Sequence, residues 1–452
     1  HIIGLLSPSQ KDKLESVKDF AFVTANGNDV HMPRPKTEEF FGYKAAYDLF
    51  SDAISKRAEI IVINPSQHEF SMKYLIDGTP VTQPSIDKES AGFVFDFLKE
   101  LADLDAQERR KPQKGHFTTN KQGHKISWEI ATAGSTAGEQ VKLKMLIKEE
   151  ITPLTKLGLS KDQYAKLESM QNVNNGVFLV TGPKKSGVTT TFYALLKNHD
   201  AFINSVETLE KNPTADLPNI QQHTFSLSDT GTTTFARKLL TLIRTAPDII
   251  GVAGIEKNEG AQVCCRAEKE GVLLYVTLEA KTLMEALEKW VRLVKDKNLA
   301  LDCLAGITCQ TLIRKLCDEC KQAYTPKKEI IHKFNLPADK AKALYRPGQE
   351  IYDKHGKEME CDNCNGIGYF GRIGVYETVI VDQQLRDQLK KAKSFSEINS
   401  LLRKTKLRTL KEQILTKVLD GQTAINEMIR VLSNIASEGR RPVRKPPAPK
   451  KP

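Results

Sequence analysis

Two cysteine pairs and one glycine-bounded loop are the parts of this sequence equipped for chemistry. Cys317 and Cys320 form one C-x-x-C and Cys361 and Cys364 a second, with forty residues between them. Each pair can chelate one edge of a metal ion. Two edges make the closed S4 tetrahedron that zinc prefers, with no position left for water, so the expected role is structural. A dithiol redox centre is the competing reading, and neither pair has the strand–helix–strand surroundings it needs. The loop lies in residues 177–191, VFLVTGPKKSGVTTT. A strand-like apolar run enters a turn bounded by Gly182 and Gly187, and a threonine-rich stretch leads out toward a helix. That is the order of G-x-x-x-x-G-K-[ST], which cradles phosphate on backbone N–H groups. Thr189 and Thr190 are in place, but Val188 stands where the lysine belongs. If nucleotide binding survives, Lys184, Lys185 and Ser186 within the loop are the polar side chains left to serve it.

The elements around these residues suggest how they are held. Apolar spacing predicts a helix in KAAYDLFSDAISKRA and strands in EIIVINP and HEFSMKYLIDGTPV, with Asp77-Gly78 as the hairpin turn. AGFVFDFLKELADL reads as a helix, and HKISWEIATA and QVKLKMLIKE as strands. Residues 41–150 are therefore expected to form a smaller α+β domain, after an irregular lead-in over 1–40. From Pro153 strands and helices alternate: GVFLVTG, TTTFYALLKN, INSVE, TTFARKLLTLIR, DIIGVAGI, GAQVCCRAEKE, VLLYVTL and TLMEALEKWVRLVK. Alternation at this spacing predicts an α/β domain with a parallel sheet covered by helices on both faces, over 151–438. LAGITCQTLIRKLC is expected to be a further helix entering the first cysteine pair, with the cysteine subdomain spanning about 312–375.

Composition sets the outer limits. The chain has 452 residues, 40% hydrophobic and 27% charged, which suits a soluble globular protein with room for several domains. It has no run of 18 or more apolar residues, no internal repeat and no coiled-coil heptads. It starts HIIGLLSPSQ, without Met or a signal-peptide pattern, so a fragment of a longer protein is expected. Of the formal charge of +11, six units fall in the acid-free stretch 439–452, GRRPVRKPPAPKKP, which is expected to be disordered. The remaining +5 is no signature of nucleic-acid binding. The other four cysteines, Cys264, Cys265, Cys303 and Cys309, sit in apolar stretches and are expected to be buried thiols of a reducing compartment.

From about residue 45 to 430 the chain resembles the ATPases that drive type II secretion and type IV pilus assembly. ISKRAEIIVINP is similar to their ERRASDIHIEP, KYLIDG to RYRIDG, and LADLDAQERRKPQKGHF to AGLDIAERRLPQDGRI. FARKLLTLIRTAPDIIGVAGIEK resembles LRSLLRQDPDIIMVGEIRD, and VLLYVTLEAKTLMEAL resembles the histidine-box segment LVLSTLHTNDA. LIRKLCDEC with CDNCNGIGYFGRIGVYE matches the four-cysteine zinc subdomain. The resemblance implies a RecA-like phosphate-loop domain and a hexameric ring on the cytoplasmic face of the bacterial inner membrane. It also implies as partners an inner-membrane platform protein and the cytoplasmic domain of an assembly protein.

The departures from the family pattern fall on its chemistry. The Walker B Gly-Glu is Ala253-Gly254, the following Arg-Asp is Glu256-Lys257, and the histidine-box His is Glu279. SVETLEK keeps Glu207 but has Thr208 for the Asp. The arginines that the amino-terminal domain presents to phosphates are replaced by Leu75, His116 and Glu129. Phosphoryl transfer is mostly electrostatic positioning, with an arginine finger alone worth roughly 10³–10⁵ in rate. So many losses predict a pseudo-ATPase without Mg-ATP turnover, acting as a structural or regulatory ring component, alone or with a catalytic paralogue. Two alternatives stand beside it: a divergent active motor using Lys184 or Lys185, and a zinc- and tail-dependent nucleic-acid-binding protein. Against the latter, the cysteine pairs lack interleaved basic and aromatic residues, so no specific nucleic-acid partner is expected.

Overall fold

In the computed structural model the described residues are 20–121, 123–146, 151–337, 341–348, 351–352, 358–405 and 407–437. The basic tail, and all of the lead-in before Phe20, lie outside them. The chain divides near residue 148 into two units.

Among the described residues, unit 1 is an eight-stranded antiparallel sheet with two helices. Its strands are β1 (Phe20–Val23), β2 (Asp29–Val30), β3 (Ala58–Pro65), β4 (Glu69–Ile76), β5 (Thr79–Asp87), β6 (Gln113–Lys121), β7 (His124–Ser135) and β8 (Gly138–Leu146). They lie in the order β2-β1-β6-β7-β8-β3-β4-β5. Helix α1 (Glu38–Ser55) starts at Thr37, whose side chain accepts from the Phe40 N–H, and α2 (Lys88–Leu101) starts at Asp87, which accepts from Ser90. Alternation in the strands turns Phe117, Trp128, Leu143, Ile61 and Tyr74 to the helix side, where all are buried. Phe50 of α1 packs edge-on against Trp128, ring centroids 4.9 Å apart. The lead-in is not irregular throughout. Phe20–Val23 pairs with Thr118–Lys121, a hundred residues away, and a four-residue strand is too short to show a period of its own.

Unit 2 is built on seven strands in the order β11-β10-β12-β13-β9-β14-β19. These are β9 (Gly176–Gly182), β10 (Val206–Glu210), β11 (Gln221–Thr224), β12 (Ile249–Ala253), β13 (Leu273–Glu279), β14 (Leu304–Leu316) and β19 (Tyr369–Ile380). Six run parallel, while β19 is antiparallel to β14. The expected all-parallel sheet is thus a mixed one with an antiparallel edge strand. Connecting helices are α3 (Lys161–Glu168), α4 (Val188–Asn198), α5 (Phe235–Arg244), α6 (Asn258–Ala267), α7 (Leu283–Val294) and α8 (Lys297–Asp302). Helix α9 (Lys328–Phe334) and the short strands β15 (Gln322–Tyr324), β16 (Leu344–Arg346), β17 (Ile351–Tyr352) and β18 (Glu358–Met359) belong to the cysteine subdomain. Helices α10 (Gln383–Lys391), α11 (Phe395–Lys404), α12 (Leu410–Leu419) and α13 (Ile425–Ser437) follow.

The segment LAGITCQTLIRKLC is a strand, β14, and not the expected helix. It is buried on both faces, so polar and apolar residues do not alternate and the strand period is hidden. Hydrogen bonding to β9 on one side and β19 on the other decides the matter.

Candidate functional site

The phosphate-loop pattern has its expected setting, with β9 ending at Gly182 and α4 beginning at Val188. Gly187 takes the N-cap place of α4 with φ +80°, a conformation that favours glycine, and no side chain caps the helix. Open N–H groups and a helix dipole at this point can bind an anion. Ser186 is 3% exposed, and its Oγ has no hydrogen-bond partner among the described atoms. Gln310, 1% exposed in mid-β14, donates from Nε2 to the Ser186 carbonyl at 2.8 Å. Gln310 was not singled out from sequence, since a lone glutamine in a stretch read as helix carries no signal.

The valine is built into the structure. Val188 packs against the cluster that holds Val180, Phe192 and Tyr376, and its Cγ2 would lie 3.0 Å from a Cβ placed on Gly182. The side chain thus covers the inner wall of the loop with methyl groups where a lysine stem would run. Lys184 and Lys185 both point into solvent, and Lys185 sits at φ +63°. Lys184 Nζ lies 3.8 Å from Glu279 Oε2, with both side chains more than half exposed. That contact is weak. It nevertheless places the histidine-box position beside the loop, because Glu279 on β13 is paired with Gly182 on β9. Thr189 and Thr190 lie half-buried in the first turn of α4.

At the position matching Walker B, both the residue and its backbone conformation are distinctive. Gly254 follows β12 with φ +92°, and a Cβ there would stand 3.2 Å from Lys211 Cβ and 3.3 Å from Phe225 Cζ. Lys211 Nζ is 3.7 Å from Glu256. The neighbouring carboxylates are committed elsewhere. Glu207 is 2.9 Å from His223 Nε2. Glu210, 2% exposed, accepts from the Tyr193 hydroxyl at 2.7 Å and from Thr208 at 2.8 Å. Each of these acids thus has a side-chain partner within the protein.

Leu75, His116 and Glu129 fall on a single rung of the unit 1 sheet. The register runs His116–Glu129–Lys144–Ile60–Leu75–Pro80 across six strands, on the face away from the helices. The next rung on that face is Lys114–Ala131–Lys142–Val62–Lys73–Thr82. Lys114 Nζ is 2.9 Å from Glu129 and holds its carboxyl below the usual glutamate range, against the opposing effect of burial. Three substitutions scattered along the sequence become neighbours by register, on a face that also carries Lys73, Lys114, Lys142 and Lys144.

The four cysteines converge. All four Sγ atoms lie within 4.8 Å of one another, with Cys317–Cys361 at 3.9 Å and Cys320–Cys364 at 3.7 Å. An S4 zinc tetrahedron with bonds of about 2.3 Å has sulfur–sulfur edges of about 3.8 Å, so the geometry fits. Asn363 Nδ2 and the Gly368 N–H donate to Cys317 and Cys364, as thiolate ligands require. Strand β14 links this centre to the loop: Gln310 touches Ser186, and Arg314 N–H, Nε and Nη2 bind the fully buried Glu427 of α13 before Cys317 is reached. Cys264, Cys265, Cys303 and Cys309 are buried, as their sequence settings implied.

Residues 41–430 match the family described as type II/IV secretion system protein, and the chain belongs to that family. Among its relatives, the type IV pilus assembly ATPase PilB of Thermus thermophilus is 27% identical over 418 residues, covering 92% of this chain and 45% of that protein. Type II secretion system protein E of Dickeya dadantii is 29% identical over 386 residues, covering 85% of this chain and 74% of that protein. The chain thus spans under half of the pilus ATPase and about three-quarters of the secretion protein. Of the solved structures, the Legionella pneumophila ATPase DotB superposes with a TM-score of 0.59 at 13% identity, covering 89% of this chain and 98% of that one. The Yersinia pseudotuberculosis DotB gives 0.55 at 14% identity. Both likenesses concern the fold alone.

Proposed function

We propose that this chain is a non-hydrolysing subunit of a type II secretion or type IV pilus machine, a pseudo-ATPase with a structural or regulatory place in a ring. Unit 2 is read as its RecA-like domain and unit 1 as its PAS-like domain. The observation that carries the proposal is Val188, whose side chain lines the loop with methyl groups while loop and helix are otherwise built. Gly254 supports it from the Walker B side. Val188, Gly254, Glu279, Glu129, Leu75 and His116 are read as the positions where catalysis was lost. If nucleotide is still bound, Gly182, Lys184, Lys185, Ser186, Gly187, Thr189 and Thr190 hold it. Cys317, Cys320, Cys361 and Cys364 hold one structural zinc.

The proposed setting is the cytoplasmic face of the bacterial inner membrane, and no helix among the described residues is long and apolar enough to cross it. The proposed partners are a platform protein, the cytoplasmic domain of an assembly protein and, in a mixed ring, a catalytic paralogue. Phosphate release by the purified chain with Mg-ATP tests the reading. Release at background rate is expected, and turnover near 1 per second or faster, ordinary for an enzyme, overturns it.

A further inference from the structure

Apart from the stretch 439–452, the positive charge of the chain is concentrated in one place. Residues 382–412 hold nine cations and four acids, and outside these two stretches the chain carries no net charge. In the fold, 382–412 runs from α10 through α11 to the first turn of α12. Leu385, Leu389, Ala392, Ile398 and Leu402 turn inward to a single core cluster. The opposite side of the same helices carries Lys391, Lys393, Arg403 and Lys404, with Arg408 and Lys411 at the start of α12, and all six are exposed.

This face is held from beneath. Lys297 of α8 donates to the Lys390 and Ala392 carbonyls and pins the link between α10 and α11. Lys390 is paired with Asp302 at 2.6 Å, whereas the six outer cations make no ion pair among the described residues. The four acids of the stretch are engaged locally. Asp382, Glu397 and Glu412 accept from the backbone N–H groups of Leu385, Lys393 and Thr409, and Asp387 accepts from the Gln383 side chain. Phe395, Leu401 and Leu407 lie half-buried among the cations, packed against the core.

We infer that the outer face of α10, α11 and the start of α12 docks on an anionic phospholipid bilayer. The inference rests on the membrane setting proposed above and deepens it by assigning the surface. A cluster of roughly four to eight Lys and Arg side chains is what draws a protein segment to anionic headgroups. The outer sides of helices form no cleft, which suits an extended surface better than a small phosphate ligand. Phe395 is the one aromatic residue of the stretch and is half-buried, so nucleic-acid bases would find no ring to stack on. The second polybasic stretch, 439–452, follows α13, which shares a core cluster with α12. Two basic stretches on neighbouring elements match a planar anionic surface better than a single acidic peptide.

The test is flotation of the full chain with vesicles of phosphatidylcholine alone and of phosphatidylcholine with about 30% phosphatidylglycerol. Two charge-reversal variants, Lys391→Glu/Lys393→Glu and Arg403→Glu/Lys404→Glu, are compared with the parent. All four side chains are exposed, and melting curves matching the parent establish that both variants fold. The parent is expected to bind the anionic vesicles at least tenfold more tightly than the neutral ones. That binding is expected to weaken at least tenfold between about 0.1 and 0.5 M salt, as the Debye length shortens. Each variant is expected to lose at least tenfold, both in the full chain and in a chain lacking residues 439–452. Three results overturn the inference: a parent that treats the two vesicles alike, folded variants that bind like the parent, or binding that vanishes with residues 439–452 alone. Tighter binding to duplex DNA than to the anionic vesicles, lost in the same variants, makes this a nucleic-acid surface and overturns it too. Phosphate release is read separately from all of these, so the surface can fall while the pseudo-ATPase reading stands, and the reverse.

Discussion

Lys211 lies against Gly254, so close that a β-carbon on residue 254 would stand 3.2 Å from the Lys211 Cβ. Restoring the family glutamate at this position therefore carries a backbone cost as well as crowding. At φ +92° a side chain costs about 1–2 kcal/mol before any crowding with Phe225. Gly254→Ala and Gly254→Glu are both expected to destabilise unit 2 by about that much in denaturant unfolding. Neither is expected to confer phosphate release, because the new carboxylate would meet the Lys211 ammonium. A Gly254→Glu protein as stable as the parent would mean that the backbone is not held in this conformation.

Val188→Lys tests the loop from the other side. A lysine stem can follow the path of the valine past Gly182 and carry its ammonium to the loop mouth. Nucleotide affinity is expected to rise at least tenfold, about 1.4 kcal/mol, without hydrolysis. Fluorescent-nucleotide titration of parent and variant reads this directly. Unchanged affinity would point to the loop backbone, closed by Gln310 and the Ser186 side chain, as the obstacle.

The sequence made some of this legible and hid the rest for physical reasons. The Asp77-Gly78 hairpin turn was readable because positive φ at both residues restricts what can stand there, and the structure has φ of +48° and +73°. The clustered cysteines were readable because metal ligation leaves a fixed spacing. Strand β14 was not, since burial on two faces erases its alternation. The common rung of Leu75, His116 and Glu129 was also out of reach, because register brings Leu75 into line with His116 and Glu129 across intervening strands and no local pattern records it. The Gly254 backbone could not be foreseen either, as a glycine in a sequence does not announce its φ.

His199 gives a pH signature of the α4 end of unit 2. It is 6% exposed, its Nε2 is 2.7 Å from the Tyr275 hydroxyl, and burial depresses its pKa from 6.5 to about 4. Between those values the unfolded chain takes up a proton that the folded chain refuses. The associated stability is therefore complete above pH 6.5 and is lost as pH falls toward 4, by about 3 kcal/mol. His199→Gln keeps an acceptor for Tyr275 and lacks the titration. Denaturant unfolding of parent and variant is expected to diverge across this window, with the shallower slope in the variant. Parallel slopes would show that the histidine is solvated in the folded protein.

The cysteine centre predicts what metal removal does at a distance. Strands β14 and β19 enter it at Leu316 and Tyr369, so the four thiols close an excursion running from residue 317 to 368. Without the metal that long loop recovers conformational freedom, and four thiols are left crowded within 4.8 Å. One zinc per chain is expected by elemental analysis, and none in Cys361→Ser/Cys364→Ser. Hydrogen exchange in that variant is expected to quicken first at residues 313–316 and 369–373, the strand ends nearest the centre. It should then reach α13, because Arg314 holds Glu427 there through three donors. Protection at Gln310 and the loop beyond it is expected to fall less, since β9 pairs with β14 through Cys309 independently of the metal. A double variant with the parent's melting temperature and unchanged exchange at both strand ends would remove the metal clasp from the account of this fold.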